Sequence, residues 1–262
     1  MATHNSIIML GLVRAAPDIA TGLFNETAAV PVTVVLSPRN EGGWMVKGQE
    51  KYATPLVISS EEEQVEEIKT WKPNDIVQVK GFLATREIDK SSVCPKCGAK
   101  NRRVDACTEN GPKSGGNRVY VYPIFCEKVA SFDTQEEAHK YLIDHQEISN
   151  LVTMVGHLTR DPINVSLNEK RPCVRYQIAC NRKYCAKGMD EISERTDYPW
   201  IYSYGDQAKD DIQILKKGDC ILVDGALQTR KYTEPYTCQT CGNVYDVNGK
   251  TLELLAYSTE YF

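Results

Sequence analysis

An internal repeat restricts this chain more than any other feature. Ile8-Met9-Leu10-Gly11-Leu12 recurs as Thr153-Met154-Val155-Gly156-His157, and Pro17 is answered by Pro162. Farther on, Asp75-Ile76-Val77-Gln78-Val79-Lys80-Gly81-Phe82-Leu83-Ala84-Thr85-Arg86 recurs as Asp219-Cys220-Ile221-Leu222-Val223-Asp224-Gly225-Ala226-Leu227-Gln228-Thr229-Arg230. The offset is 145 for the first run and 144 for the second. Both copies then reach a C-x-x-C-G run, at Cys94/Cys97 and Cys238/Cys241. Like elements in like order at near-constant offsets predict two homologous domains, over 1–131 and 151–262.

Each copy reads mostly as strand. In the second, residues 151–158, 173–180, 198–204, 220–229 and 251–257 alternate or are rich in β-branched and aromatic residues, which predicts five strands. Gly156 within the first of these predicts a bulge or sharp bend. One short helix falls between the third and fourth strands. In the first copy it spans 60–70, with Ser60 and Glu63 forming a capping box; in the second it spans 207–216, with Asp206 as N-cap. Five strands with one helix in that position is the order of an OB barrel. Between the copies, residues 132–150 hold one basic and five acidic residues. Thr134 and Glu137 make another capping box there, and Ala138, Tyr141, Leu142 and His145 share one helical face. The expected fold is mainly β: two tandem OB-fold five-stranded barrels, each with a short helix and a zinc-binding hairpin, joined by an acidic helical linker over 132–150.

Ten cysteines in 262 residues are many for a chain with neither a basic, apolar leader nor an apolar run of membrane-spanning length. The expected location is cytoplasmic, where C-x-x-C pairs are metal ligands or redox groups more often than disulfides. A redox pair needs a helix N-terminus in a βαβ setting, whereas both pairs here lie in the hairpin between the last two strands. The C-x-x-C-G form is that of a zinc knuckle, and structural zinc takes four ligands. Two structural zinc sites are therefore expected. In the first copy, Cys94 and Cys97 open an insertion over 93–118. Cys107 is the third candidate, and Cys126 is either the fourth ligand or a small core residue. In the second copy, Cys238 and Cys241, in a knuckle over 236–248, are joined by Cys180 and Cys185 from the hairpin between strands two and three. Cys220 alternates with apolar residues and reads as core.

The net charge of −4 excludes a crude polycation, so any nucleic-acid surface must be local. Four histidines, two of them in the linker, give no convergent catalytic cluster, and no phosphate-binding glycine loop is present. No enzymatic activity is expected.

The second copy resembles the bacterial-type single-stranded DNA-binding proteins. The resemblance rests on Met154–Pro162, Ala179–Tyr184, Leu215–Asp219 and Val223–Tyr232, above all the G-x-L-x-x-D-P and D-G-x-L-x-T-R-x-Y runs. It implies sequence-tolerant binding of single-stranded DNA in replication, recombination or transfer. Bases would stack on Tyr184, Tyr198, Tyr204 and Tyr232, with Arg182, Lys183, Arg230 and Lys231 meeting phosphates. Trp200 alternates with Tyr198 and Tyr202, and is either a further platform or a core residue. The first copy keeps only Tyr52 of the aromatic set, with Trp44 as a substitute and Arg39, Arg86, Arg102 and Arg103 as cationic candidates. It binds DNA differently, more weakly, or serves as a pairing surface. The resemblance also implies four OB domains per assembly, hence a homodimer. The acidic tail by which such proteins recruit replication or recombination partners is replaced here by Glu260-Tyr261-Phe262. An RNA-binding OB module and a zinc-ribbon protein-docking scaffold are the alternatives.

Overall fold

In the computed structural model, the described residues are 4–22, 25–36, 50–87, 91–102, 117–166, 172–182 and 196–262. The fold is mainly β. The first half contains β1 (His4–Val13), β2 (Glu26–Leu36), β3 (Leu56–Ser59), α1 (Glu62–Lys69), β4 (Asp75–Glu87) and β5 (Asn117–Ser131). After α2 (Gln135–Asp144) the second half repeats the series as β6 (Asn150–Leu158), β7 (Cys173–Asn181), β8 (Trp200–Tyr204), α3 (Gly205–Ile214), β9 (Cys220–Thr237) and β10 (Val244–Tyr261).

Pairing closes each half on itself. β1 pairs with β2 and β4, β2 with β3, β3 in parallel with β5, and β5 with β4. In the second half, β6 pairs with β7 and β9, β7 with β8, β8 in parallel with β10, and β10 with β9. The same ring order arises twice. Closure follows from alternation: Val174, Tyr176, Ile178 and Cys180 of β7 point into the core, and their neighbours point out.

The repeat extends to single hydrogen bonds. Asn5 donates to the Leu83 carbonyl at 2.8 Å and accepts from the Leu83 N–H at 2.9 Å. Asn150 makes the same pair with Leu227, at 2.8 and 2.9 Å. Asp75 accepts from the Lys72 N–H at 2.8 Å, and Asp219 from the Lys216 N–H at 2.7 Å. Replacing Asn150 by Ala orphans a buried N–H and a buried carbonyl. A loss of roughly 1–3 kcal/mol per orphaned group is expected, read by urea unfolding.

The halves join through β1 and β6, which run antiparallel with Ile7 opposite Val152 and Asn5 opposite Met154. Val152 is the repeat equivalent of Ile7. The contact is therefore self-complementary, like a two-fold dimer interface built within one chain. One apolar core runs through both halves. The linker helix docks on the first half: Ala138 and Leu142 pack with Leu10, Leu12, Val35 and Ile76. Thr134 caps it, accepting from the Glu137 N–H at 3.3 Å.

Three local expectations are corrected. Ser60 does not cap α1, because its hydroxyl is buried against Thr27 at 2.7 Å; Glu61 holds the cap position without a side-chain cap. α3 begins at Gly205, which places Asp206 in the first turn, paired with Lys209. No bulge falls at Gly156, because the β6–β9 ladder runs through it without a shift; the register shifts lie at Ile76/Val77, Lys80/Gly81 and Asp224/Gly225.

Candidate nucleic-acid interface

β8 carries Trp200, Tyr202 and Tyr204 on one face, while Ile201 and Ser203 turn into the core. Register brings Gln177, Arg175 and Cys173 of β7 opposite those three aromatics in turn. Two guanidinium groups lie near the Trp200 ring, Arg175 at 4.8 Å and Arg160 at 5.4 Å from its centre. On the other side of β8 lies β10, and beyond it β9 presents Gln228, Arg230 and Tyr232 on a single face. Arg230 lies 5.0 Å from the Tyr202 ring centre and 5.9 Å from that of Tyr232, and donates to the Tyr202 hydroxyl at 3.0 Å. Tyr232 crosses onto Gly249, where a Cβ would meet the far end of the ring at 2.4 Å and push it aside. The result is a face of aromatic rings and guanidinium groups running across β7, β8, β10 and β9, with Tyr202 buried beneath Arg230.

Glu253 is buried beneath it and accepts from Arg230 at 2.9 Å and from Gln228 at 3.0 Å. Burial raises its carboxyl above the ordinary range, and Arg230 offsets only part of that. Arg230 is thus held by a carboxylate as well as by rings, which fixes its position over the two tyrosines. Tyr204 is 43% exposed, and burial of its hydroxyl end pushes the phenol up to about 12. Its OH therefore stays a neutral hydrogen-bonding group. Tyr198, also exposed, is set by its N–H on the Thr85 hydroxyl at 2.9 Å and by its carbonyl on Gln177 at 3.1 Å.

Other expected residues sit elsewhere. Arg182 is no phosphate ligand here: its side chain is 7% exposed and donates to Asp197 at 2.6 and 2.8 Å. Asp197, fully buried, also accepts from the Thr85 N–H of the first half at 2.6 Å. Lys231 projects from the opposite face of the hairpin from Arg230 and Tyr232, paired across strands with Lys250. One ring face of Tyr52 stacks on His139 of α2 at 4.7 Å. Arg86 is exposed near the end of β4, opposite Arg118. Arg102 ends a short strand, and its side chain lies outside the description. Tyr184, Lys183, Trp44, Arg39 and Arg103 lie outside the described residues. Sequence reasoning missed Arg160, Arg175, Tyr202 and Glu253 as site residues. Period two along 173–177 and 198–204 was the available signal for Arg175 and Tyr202.

Among the described residues, the cysteines form one cluster where two sites were expected. Sγ of Cys94, Cys97, Cys238 and Cys241 all lie within 4.8 Å of one another. Across the halves, Cys97 and Cys238 stand at 3.6 Å and Cys94 and Cys241 at 3.8 Å. Both knuckles are built alike. Cys94 N–H donates to Ala99 and Gly98 N–H back to Cys94; Cys238 and Gly242 repeat this with Asn243. Gly98 and Gly242 hold φ of 72° and 69°, the left-handed region glycine enters freely. Burial would raise the Cys238 thiol. Backbone N–H groups of Cys241 and Thr240 and the Asn101 amide overcome this and bring it down to about 6.

Cys126 and Cys180 are corrected as ligands. Each is a core residue of its barrel: Cys126 donates to Gln64 at 3.1 Å and Cys180 to the His4 carbonyl at 3.1 Å. Cys107 and Cys185 lie outside the described residues. Cys220, expected in the core, is half-buried because its strand begins there, its carbonyl accepting from the Phe262 N–H at 3.1 Å.

Comparison with known proteins fits the second half. Residues 149–254 match the single-strand binding protein family. The Single-stranded DNA-binding protein of Aquifex aeolicus (strain VF5) is 32% identical over 83 residues, which is 32% of this chain and 56% of that protein. The chain thus spans about half the length of the curated relative it matches. Two solved structures share the fold. Wild-type single-stranded DNA binding protein from Thermus aquaticus superposes with a TM-score of 0.65 at 17% identity, covering 100% of this chain and 94% of that one. A deletion mutant of the same protein gives 0.61 at 17% identity, covering 99% and 95%. The family match covers segment 149–254, less than half of the chain.

Proposed function

We propose that the chain binds single-stranded DNA without sequence preference, coating it in replication, recombination or transfer, and that it performs no catalysis. The observation that carries this is the outer face of the second half, where Trp200, Tyr202, Tyr204 and Tyr232 lie among Arg160, Arg175 and Arg230. Every base has a π-face, so rings on an open sheet bind strands of any sequence, and nearby guanidinium groups meet the phosphates. Tyr198 extends the surface toward the junction with the first half, and Tyr184 and Lys183, outside the described residues, add a stacking ring and a phosphate contact in this reading.

In this reading the chain is two tandem OB barrels, 1–131 and 151–262, with 132–150 as the linker. It dimerises to present four barrels. The first barrel adds Arg86 as a secondary contact, together with Arg39 and Trp44, which lie outside the described residues. The cofactor is structural zinc held by knuckle thiolates, and the protein works in the cytoplasm, where those thiols stay reduced. Among the described residues, no helix is long and apolar enough to cross a membrane.

The test is a fluorescence titration with dT oligomers of rising length, at two salt concentrations, against duplex DNA and rU oligomers. Tight binding to dT, quenching, little affinity for duplex, and a log–log salt slope of about −0.7 per phosphate contact are expected. Preference for rU would make the chain an RNA-binding module. No binding to any single strand at low salt would favour a docking scaffold.

A further inference from the structure

We infer that Cys94, Cys97, Cys238 and Cys241 hold one zinc ion shared between the halves, and that this ion clasps the β9–β10 hairpin in its DNA-binding position. The second part rests on the single-strand reading; the first does not.

Each knuckle supplies two thiolates, half of a structural site. Cys126 and Cys180, the expected alternatives among the described residues, are committed to the core of their own halves. A tetrahedral ion with Zn–S bonds of ~2.3 Å requires sulfur–sulfur edges of about 3.8 Å. The cross-half pairs stand at 3.6 and 3.8 Å, and every edge is under 4.8 Å. Cys94 and Cys238 are buried and Cys97 and Cys241 exposed, so the two-fold relation of the halves is kept in the cluster. An all-thiolate tetrahedral set selects zinc or iron over oxygen-seeking cations.

Polar contacts also link the two knuckles across the halves. Asn101 of the first half donates to Cys238 Sγ at 3.5 Å and accepts from the Gln239 N–H at 3.1 Å. Asn243 of the second donates to Cys94 Sγ at 3.9 Å, and Ser92 bonds the Tyr245 hydroxyl at 2.8 Å. Second-shell partners of this kind fix thiolate direction.

The position of the cluster gives it a further consequence. β9 and β10 stay paired from Ile221/Tyr261 out to Thr237/Val244, and the second knuckle is the hairpin tip. Arg230 and Tyr232 lie on this arm, Tyr232 roughly 20 Å along the strand from Cys238 at ~3.3 Å per residue. A two-stranded arm is marginal alone. Anchoring its tip to the first half removes freedom that DNA binding would otherwise have to remove.

The experiment uses the whole chain. Bound metal is measured by mass spectrometry on wild type, Cys97→Ser and Cys241→Ser, and DNA affinity with dT oligomers before and after chelation and zinc return. One zinc per wild-type chain is expected, and none in either variant, since each mutation breaks the same site. Two zinc ions per wild-type chain, one retained in a variant, iron, or no metal would overturn the shared zinc site. Chelation of wild type should weaken dT binding roughly fivefold to thirtyfold, with faster amide exchange across 230–245, both restored by zinc. Unchanged affinity after complete zinc removal would overturn the clasp and leave the site standing. If the zinc-loaded protein bound no single strand, the functional reading would fail, while the metal count would still decide the site.

Discussion

Asp197→Ala should cost roughly 3–5 kcal/mol of stability, the largest single-residue effect expected in this chain. The carboxylate is fully buried and satisfies three groups at once: the Arg182 guanidinium, the Thr85 N–H and the Thr85 hydroxyl. Truncation leaves a buried cation without its partner and an N–H of the first half without an acceptor. The link also crosses between halves, from the strand pair beside β7 to the end of β4. Asp197→Asn keeps the shape and one acceptor oxygen, so it should recover part of the loss. Chemical unfolding of the two variants checks this. A loss below about 1 kcal/mol for the alanine variant would mean that Arg182 reaches solvent, and would return it to the list of phosphate contacts.

Trp200→Ala should weaken binding of single-stranded DNA by about 5–150-fold, the equivalent of roughly 1–3 kcal/mol of stacking. Trp200 is half-buried on the outer face, and its removal leaves Ile201 and Ser203 in the core untouched. Thermal stability should therefore change little. Arg160 and Arg175 lose the ring that positions them, so the salt dependence should also become shallower. Trp200→Phe should restore most of the affinity. An unchanged dissociation constant, with fold intact, would remove Trp200 from the interface.

Much of this architecture is legible in the sequence because the repeat carries it. The two runs at a constant offset are strand pairs in equivalent places, and the Asn5 and Asn150 clamps are copies of one device. C-x-x-C-G marked both knuckles, since that spacing is local chemistry. The ligand set was not legible. Which thiolates meet depends on the β1–β6 register that brings both hairpin tips together, and no local pattern encodes a contact between Cys97 and Cys238. The same limit explains Arg182. A basic residue beside aromatics reads as a phosphate contact until a carboxylate fifteen residues on, and an amide from the other half, are seen to bury it. Arg175 and Tyr202 were hidden differently. Each sits in a strand whose alternation was read for its core face, while the outward face carries the rings and guanidinium groups.

Photocrosslinking with halogenated dT oligomers, followed by peptide mapping, tests most directly the claim that the β7–β8–β9 face of the second half holds the strand. Crosslinks concentrated at Trp200, Tyr204 and Tyr232 are the expected result. Crosslinks confined to α2 or to the linker, with these three aromatics unmodified, would contradict the account.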